Sequence, residues 1–348
     1  NSHIVWGIQW HTGKSTDYYP DFPGYVPLGR SLVRYENGQP AGGLLCGASL
    51  QQGMLEAVQE RGGELLLKTA AKKLITRILP DARHEVLGVV AVSDGKEINI
   101  KARKGVIMAA GGFEWNPELK QHFLRGPTPY QAGVPGNTGD TLRMAMAVGC
   151  DLRNMNHALG MSMFKEIAQE ENSNQLPALM GMLGQTYMAM PGVIMVNRYG
   201  ERFCNEGGNY NDKWKTYFAH ENFGDHRHRN IPAFMIFDSV ARAKCMGPGS
   251  PAEAALAKGT RQADTLQGLA EAFGIDSAGL QRQVAEFNEC ARQGKDPRFH
   301  RGENLYDQGW GDASIEGPGA CLAPLEKPPF FGIEVAPGPA ARRLGRQA

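Results

Sequence analysis

Six consecutive residues without a charged or hydrogen-bonding side chain, Gly105-Val106-Ile107-Met108-Ala109-Ala110, form a run that is typical of a strand buried on both faces of a sheet. Shorter strand-like runs precede it, and a helical apolar stripe at 49–61 comes before them. The predicted short strands are 64–67, 74–79, 86–92 and 97–100, with a turn at Asp94-Gly95. This part of the chain is therefore predicted to be an antiparallel meander that leads into a buried strand.

The second half of the chain predicts a mixture of helices and strands. A helix is expected at 142–148, a strand pair around Asn197-Arg198-Tyr199-Gly200, and a buried strand at 234–238. Two further helices are expected, one over 266–273 and one capped near Asp276-Ser277. With 348 residues, the chain is long enough for two domains.

Composition excludes several classes of function. Lys and Arg number 37 against 36 Asp and Glu, so neither a nucleic-acid partner nor an anionic membrane surface is indicated. No apolar run reaches the length of a membrane span. The six cysteines have neither zinc-site nor disulfide-framework spacing, and no metal site is expected. We therefore expect a cytoplasmic protein.

Two glycine-containing segments are candidates for contact with a cofactor. Gly111-Gly112 follows the predicted buried strand, and a glycine pair lets a ligand or a loop approach the backbone closely. Gly136-Asn137-Thr138-Gly139-Asp140-Thr141 leads into the helix predicted at 142–148, where backbone N–H groups can hold an anion. Taken alone, each has an ordinary alternative: a tight turn for the first and a helix cap for the second.

A third segment contains the sequence Val196-Asn197-Arg198-Tyr199-Gly200-Glu201-Arg202-Phe203-Cys204-Asn205-Glu206, followed by Gly207-Gly208-Asn209-Tyr210. It resembles the Val-Asn-x-x-Gly-x-Arg-Phe-x-Asn-Glu signature of flavoproteins related to fumarate reductase and 3-ketosteroid dehydrogenase. Four residues after the Glu, the fumarate reductases have an arginine and the ketosteroid Δ1-dehydrogenases a tyrosine. The corresponding residue is Tyr210. A phenol with a tuned pKa suits an apolar ketone, whereas a permanently charged arginine suits a dicarboxylate.

The resemblance implies an FAD cofactor and a set of residues that bind it. The glycine pair is similar to the second FAD-contacting segment of the family, and Asn137 to Asp140 are similar to the third. The cofactor-binding residues that it implies are Ala110, Gly111, Gly112, Phe113, Asn137, Thr138, Gly139 and Asp140. Thr141 stands where the family usually has glycine.

The implied reaction is dehydrogenation beside the ketone of a small apolar, steroid-like substrate, with an unidentified electron acceptor. Tyr210 would remove the proton from the carbon next to the carbonyl, and the hydride would pass to flavin N5. Tyr18 is similar to a second active-site tyrosine of the ketosteroid dehydrogenases, although Tyr19 competes for that role and either could be an ordinary loop aromatic.

The resemblance also implies an α/β fold, with an incomplete Rossmann-like FAD-binding domain and an inserted α+β substrate domain. The expected boundaries are 1–151 for the partial FAD-binding domain, 152–335 for the substrate domain and 336–348 for a truncated return. The chain contains no Gly-x-Gly-x-x-Gly pyrophosphate turn, and residues 339–345 do not match the family's closing segment. The missing turn leaves open an inactive fragment that binds no flavin, and a fumarate-reductase-like enzyme acting on a dicarboxylate is the other alternative.

Overall fold

A computed structural model of the protein describes residues 51–341, with gaps at 179, 182–183, 185–186, 246–252, 254–255, 257 and 313. Before residue 51 it describes only the backbone of 3–6, 32–36, 39–40 and 46–50, and at 340–341 again only the backbone. Within these residues the protein mixes helices and sheets, which confirms the α/β prediction at that level. No helix of the described residues combines the length and the apolar run needed to cross a bilayer.

The helices described over their whole length are α1 Cys46–Glu60, α2 Pro117–Phe123, α3 Asp140–Met146, α4 Lys165–Ser173, α5 Tyr210–Thr216, α6 Ser239–Cys245, α7 Leu266–Phe273, α8 Ser277–Arg292 and α9 Leu305–Gly309. A 3₁₀ turn covers Gly317–Ala320.

The strands are β1 His3–Trp6, β2 Leu32–Glu36, β3 Gln39–Pro40, β4 Thr69–Ile78, β5 His84–Ser93, β6 Lys96–Lys101, β7 Leu159–Phe164, β8 Val193–Asn197, β9 Ala233–Phe237, β10 Arg261–Ala263 and β11 Phe330–Ala341. They form two three-stranded sheets, β1-β2-β3 and β4-β5-β6, and one five-stranded sheet. The pairs described in these sheets are antiparallel.

The long strand β11 organises the five-stranded sheet. One edge of β11 pairs with β9, which in turn pairs with β8. The other edge pairs with β10 near its start and with β7 over its second half. Every residue of β8 and β9 is buried. Alternate side chains of these strands therefore enter two different cores, one on each face of the sheet.

The caps of α7 and α8 confirm two of the sequence-based predictions. The hydroxyl of Thr265 accepts a hydrogen bond from Gly268 N at 3.0 Å, and α7 ends at Gly274 with a left-handed φ of 68°. The Asp276 side chain accepts from Ala278 N at 3.0 Å and from Gly279 N at 3.2 Å at the start of α8. Both helices cover one face of the sheet with apolar side chains, among them Leu269, Leu280, Val284 and Phe287.

The predicted meander is largely confirmed as β4-β5-β6, and the turn at Asp94-Gly95 joins β5 to β6. Both turn residues have positive φ, 47° and 77°, as a tight hairpin turn requires. The strand predicted at 64–67 is wrong, because those residues form an exposed loop that enters a turn at Leu67.

The buried strand predicted at 105–110 is also wrong. This segment is irregular, and 95% of the Ile107 side chain is exposed. A strand buried on both faces needs a neighbouring strand on each side and a layer above and below it. None of the described strands pairs with this segment. The helix predicted at 142–148 does form, but two residues earlier, as α3.

Candidate functional site

The two predicted cofactor segments lie against each other in the structure. Gly139 N donates to Gly112 O at 3.0 Å, and Trp115 N donates to Asn137 O at 3.1 Å. The Asn116 side chain adds a third bond, from Nδ2 to Thr138 O at 2.9 Å. Residues 109–111 remain exposed beside this junction. The segments that the sequence separates by about two dozen residues therefore form one surface.

Close packing explains the glycine at position 111. Its φ is +87°, and a Cβ atom there would overlap Oδ1 of Asn137. Gly139 has a φ of +89°, and its Cβ would overlap the side chain of Leu119 and lie 3.0 Å from Phe113 Cβ. Both glycines are thus required by contacts within the protein, in addition to any role at a ligand.

The remaining predicted cofactor residues differ in accessibility. Ala110 and Asp140 are exposed, and Asp140 accepts a hydrogen bond from Thr138 Oγ1 at 3.2 Å. Phe113 is only 1% exposed and packs in a small core with Leu119 and Leu142. The Phe113 side chain therefore stabilises the segment from below.

Two buried polar atoms at this junction have no hydrogen-bond partner among the described residues: Glu114 Oε2 and Thr141 Oγ1. Buried polar atoms are normally satisfied, so orphans beside an exposed backbone segment are expected where a ligand completes the site. The junction therefore fits a cofactor with several hydrogen-bonding atoms. Glu114 was not among the predicted site residues, although it stands only two residues after the glycine pair.

Tyr210, the predicted base, is the first residue of α5 and is half-buried. Its ring packs against an apolar group that consists of Met161, Met163, Ala168 and Ala178, together with Tyr130 and Ala132. We call these residues the Tyr210 cluster.

The position of α5 is fixed by strand β7. The Trp214 ring of α5 lies directly over Gly160 of β7, where a Cβ atom would overlap it. Asn211 Oδ1 accepts a hydrogen bond from Gly160 N at 3.2 Å, and the Asn209 side chain caps the helix by accepting from Asn211 N at 2.9 Å. These contacts hold the first turn of the helix, and therefore Tyr210, against β7.

Tyr130 is a member of the Tyr210 cluster that the sequence did not reveal. Burial raises the pKa of its phenol, as does Glu334, while Lys165 opposes the shift. Its backbone carbonyl lies close to Gly338 of β11, where a Cβ atom would be 2.6 Å away. Tyr130 is 80 residues from Tyr210 and stands in no recognisable motif, so no local signal could have predicted its position.

Two charged residues of the signature, Arg202 and Glu206, form a buried ionic group with Asp296 and Arg301. Arg202 Nε and one terminal nitrogen donate to the two oxygens of Glu206 at 2.8 and 2.6 Å. Asp296 accepts from Arg202 at 2.8 Å, and Arg301 donates to Glu206 at 3.1 Å. All four side chains are at most 4% exposed. Burial raises the pKa of Glu206, but the two guanidinium groups outweigh this effect and lower it to about 2.

A buried lysine completes this ionic group. Lys213 of α5 is 3% exposed and donates to the carbonyl oxygen of Glu206. Burial lowers its pKa to about 8, although the carboxylates of Glu206 and Asp307 oppose that shift. Lys213 thus connects the helix that begins with Tyr210 to the ionic group.

Arg198, the other arginine of the signature, is also held by the protein. It donates to the backbone oxygens of His228, at 3.0 Å, and of Ile231. Both arginines of the signature are therefore engaged in contacts within the protein. Tyr18 and Tyr19 lie outside the described residues.

Known proteins provide an independent comparison. Residues 11–340 match the family described as FAD binding domain. The 4-oxocyclohexanecarboxylate 2-dehydrogenase of Sinomonas cyclohexanicum is 33% identical over 319 residues, which cover 90% of this chain and 50% of that protein. The 3-oxosteroid 1-dehydrogenase of Mycolicibacterium smegmatis is 32% identical over 303 residues, which cover 81% and 49%.

A solved structure matches over nearly the whole chain. The 3-ketosteroid Δ1-dehydrogenase of Sterolibacterium denitrificans, in complex with 1,4-androstadiene-3,17-dione, gives a TM-score of 0.76 at 27% identity. The match covers 98% of this chain and 71% of that structure. The chain spans about half the length of the curated relatives that it matches.

Proposed function

The chain belongs to the FAD binding domain family, and we propose that it acts in FAD-dependent dehydrogenation of adjacent carbons beside a ring ketone. The two curated relatives described above are named for dehydrogenation of such ketones, an oxocyclohexane and an oxosteroid. The sequence resemblance to 3-ketosteroid Δ1-dehydrogenases makes a 3-ketosteroid the preferred substrate.

One observation carries the proposal: a single loop, residues 128–139, contacts both predicted parts of the site. Near its start, Tyr130 and Ala132 pack in the Tyr210 cluster. At its end, Gly139 N bonds to Gly112 O at 3.0 Å. A redox cofactor at the glycine pair and a substrate at the Tyr210 cluster would therefore both lie beside the same short segment of the chain.

FAD would be held by the exposed backbone of 109–111 and by the side chains of Asn137 and Thr138. When bound, FAD supplies the oxidant that accepts a hydride from the substrate. Autonomous binding by this chain is part of the proposal, as are the domain limits 1–151, 152–335 and 336–348.

Tyr210 is proposed as the base that removes the proton from the carbon beside the carbonyl, and Tyr18 as its assistant. The surroundings of Tyr210 support a ketone over a dicarboxylate. The Tyr210 cluster is made of methionine, alanine and tyrosine side chains, and the arginines of the signature are bound elsewhere in the protein. Apolar surroundings of the Tyr210 ring favour a ring hydrocarbon over a charged diacid as its neighbour.

The test is reduction of an artificial electron acceptor by FAD-loaded protein with each of three substrates. A 3-ketosteroid should support turnover, whereas succinate should not. Turnover with 4-oxocyclohexanecarboxylate alone would support dehydrogenation beside a ring ketone but would exclude a steroid as the substrate. Turnover with succinate alone, or failure of the purified chain to bind FAD, would overturn the proposal.

A further inference from the structure

We propose that Glu114 is a positioning residue of the cofactor site: it orients Asn137 so that the amide oxygen of Asn137 accepts a hydrogen bond from FAD. This inference rests on the proposed function, because it concerns the same cofactor. It adds a residue outside the set that the family resemblance implied.

The side chains of Glu114 and Asn137 are in direct contact. Glu114 is 3% exposed, and its Oε1 accepts a hydrogen bond from Asn137 Nδ2 at 2.5 Å. A carboxylate has no proton to donate, so it bonds only the NH₂ end of an amide. Glu114 therefore determines which way the Asn137 amide faces. Gly133 packs so closely on the same oxygen that a Cβ atom there would overlap it, which limits movement of the carboxylate.

The oxygen end of the Asn137 amide faces Gly111. With Nδ2 bound to Glu114, Asn137 Oδ1 lies against Gly111, where a Cβ atom would overlap it. Gly111 belongs to the exposed 109–111 segment, and Asn137 itself is half-buried. An acceptor oxygen thus stands at the edge of the surface proposed for FAD, whose ring N–H and ribityl hydroxyls are donors.

The protein satisfies only one of the two oxygens of the Glu114 carboxylate. Glu114 Oε2 is buried without a hydrogen-bond partner among the described residues, which costs free energy. Lys120 lies within electrostatic range, but its ammonium donates to Thr128 O at 2.8 Å. Burial lowers the pKa of Lys120 to about 8, against the opposing effect of Glu114. The carboxylate is therefore only partly compensated by the protein, as expected for a group whose role concerns a ligand.

The experiment is titration of the purified chain with FAD, following the fluorescence and the visible absorption spectrum of the flavin. The variants are Glu114→Ala, Asn137→Ala, the double variant and Glu114→Gln. Each alanine variant should weaken FAD binding about tenfold, which is the effect of losing one well-placed hydrogen bond. The double variant should bind as weakly as Asn137→Ala and no more weakly, because Glu114 acts through Asn137.

Glu114→Gln should retain binding within about threefold, because its amide oxygen can still accept from Asn137 Nδ2. A purely structural role would leave the flavin absorption bands unchanged, whereas loss of an oriented acceptor should shift them in both alanine variants. Glu118→Ala is the control: Glu118 is an exposed carboxylate paired with Arg143 at 2.9 Å, and its loss should change neither affinity nor spectrum.

Unchanged FAD affinity in Glu114→Ala, or independent effects that multiply in the double variant, would overturn the inference while leaving the proposed function intact. A parent chain that binds no FAD would overturn both. A parent that binds FAD but oxidises none of the ketones would reject the proposed reaction alone, since the titration still decides the role of Glu114.

Discussion

Arg202 and Glu206, which are four residues apart along the chain, form a bidentate ion pair that is almost entirely buried. Their hydrogen bonds measure 2.8 and 2.6 Å, and Arg301 reaches the same carboxylate from a distant part of the sequence. Arg202 and Glu206 thus stabilise the fold around the segment that ends at Tyr210.

Replacing Glu206 with glutamine should destabilise the protein severely. The variant would leave Arg202 and Arg301 buried with one carboxylate fewer, and breaking a buried ion pair typically costs about 3–5 kcal/mol. Chemical denaturation should therefore show a much lower free energy of unfolding. Glu201→Gln is the matched control, because Glu201 pairs with Arg229 at a site where both side chains are about 40% exposed. Its loss should cost at most about 1 kcal/mol.

The same carboxylate should make stability depend on acid pH. The pKa of Glu206 falls from an ordinary 4.5 to about 2 in the folded protein, because Arg202 and Arg301 outweigh the effect of burial. Its contribution is therefore complete above pH 4.5 and is lost as the pH falls towards 2. Denaturation curves at intervals between pH 5 and 2 should show a shallower loss in Glu206→Gln than in the parent. Parallel losses would contradict this assignment.

Gly160→Ala should test the contact that positions α5. The added methyl group would overlap the Trp214 ring, so β7 and the helix that begins with Tyr210 must separate. Overpacking of this kind typically costs about 1–3 kcal/mol, and we expect lower thermal stability together with reduced turnover. Gly105→Ala serves for comparison, because its backbone is exposed and no atom lies within 4 Å of the place that the new methyl group would occupy. Equal effects of the two changes would argue against the packing explanation.

Gly111→Ala should abolish or strongly weaken FAD binding. The substitution would place a methyl group on Asn137 Oδ1 and would also strain a backbone with φ of +87°. Gly95→Ala separates these two effects, because Gly95 has a φ of +77° but open space around it. We expect Gly95→Ala to lower stability by about 1 kcal/mol through strain while FAD affinity stays at the parental value. Titration of both variants with FAD shows whether the loss of affinity comes from the contact with Asn137 or from backbone strain.

Tyr210→Phe should lower turnover by at least about 100-fold, since general acid–base groups contribute about 10²–10⁴ in rate. The ring contacts within the Tyr210 cluster are retained, so the unfolding midpoint and FAD affinity should stay near those of the parent. Tyr199→Phe is the comparison variant. The Tyr199 hydroxyl donates to Glu221 at 2.9 Å outside the cluster, and its removal should leave turnover unchanged. Full activity of Tyr210→Phe would remove Tyr210 as the base.

Local chemistry made part of the fold predictable. Thr265 and Asp276 were expected to begin helices because their side chains accept hydrogen bonds from backbone groups only two or three residues away, and they do. The Asp94-Gly95 turn was predictable for the same reason. In each case the few residues that determine the structure are neighbours in sequence.

Features that depend on distant partners could not be predicted. The apolar run at 105–110 has the composition of a buried strand, but burial is decided by neighbouring strands that a local pattern does not contain. Tyr130 joins Tyr210 across 80 residues, and Arg202 meets Asp296 across 94. The glycine segments were found because their backbone demands are local, whereas the Glu114–Asn137 contact between them depends on the fold.

Strand β11 has a consequence for the order in which the protein can assemble. It supplies pairing edges to β7, β9 and β10, yet it is the last of the described strands to be synthesised. During translation, the β8–β9 hairpin and β7 are synthesised before β11, which begins only at residue 330. One edge of β9 and one edge of β7 are therefore unpaired until β11 is available. This sheet therefore cannot be completed before residues 330–341 are available, and until then the edges of β7 and β9 that β11 covers are open to wrong pairings.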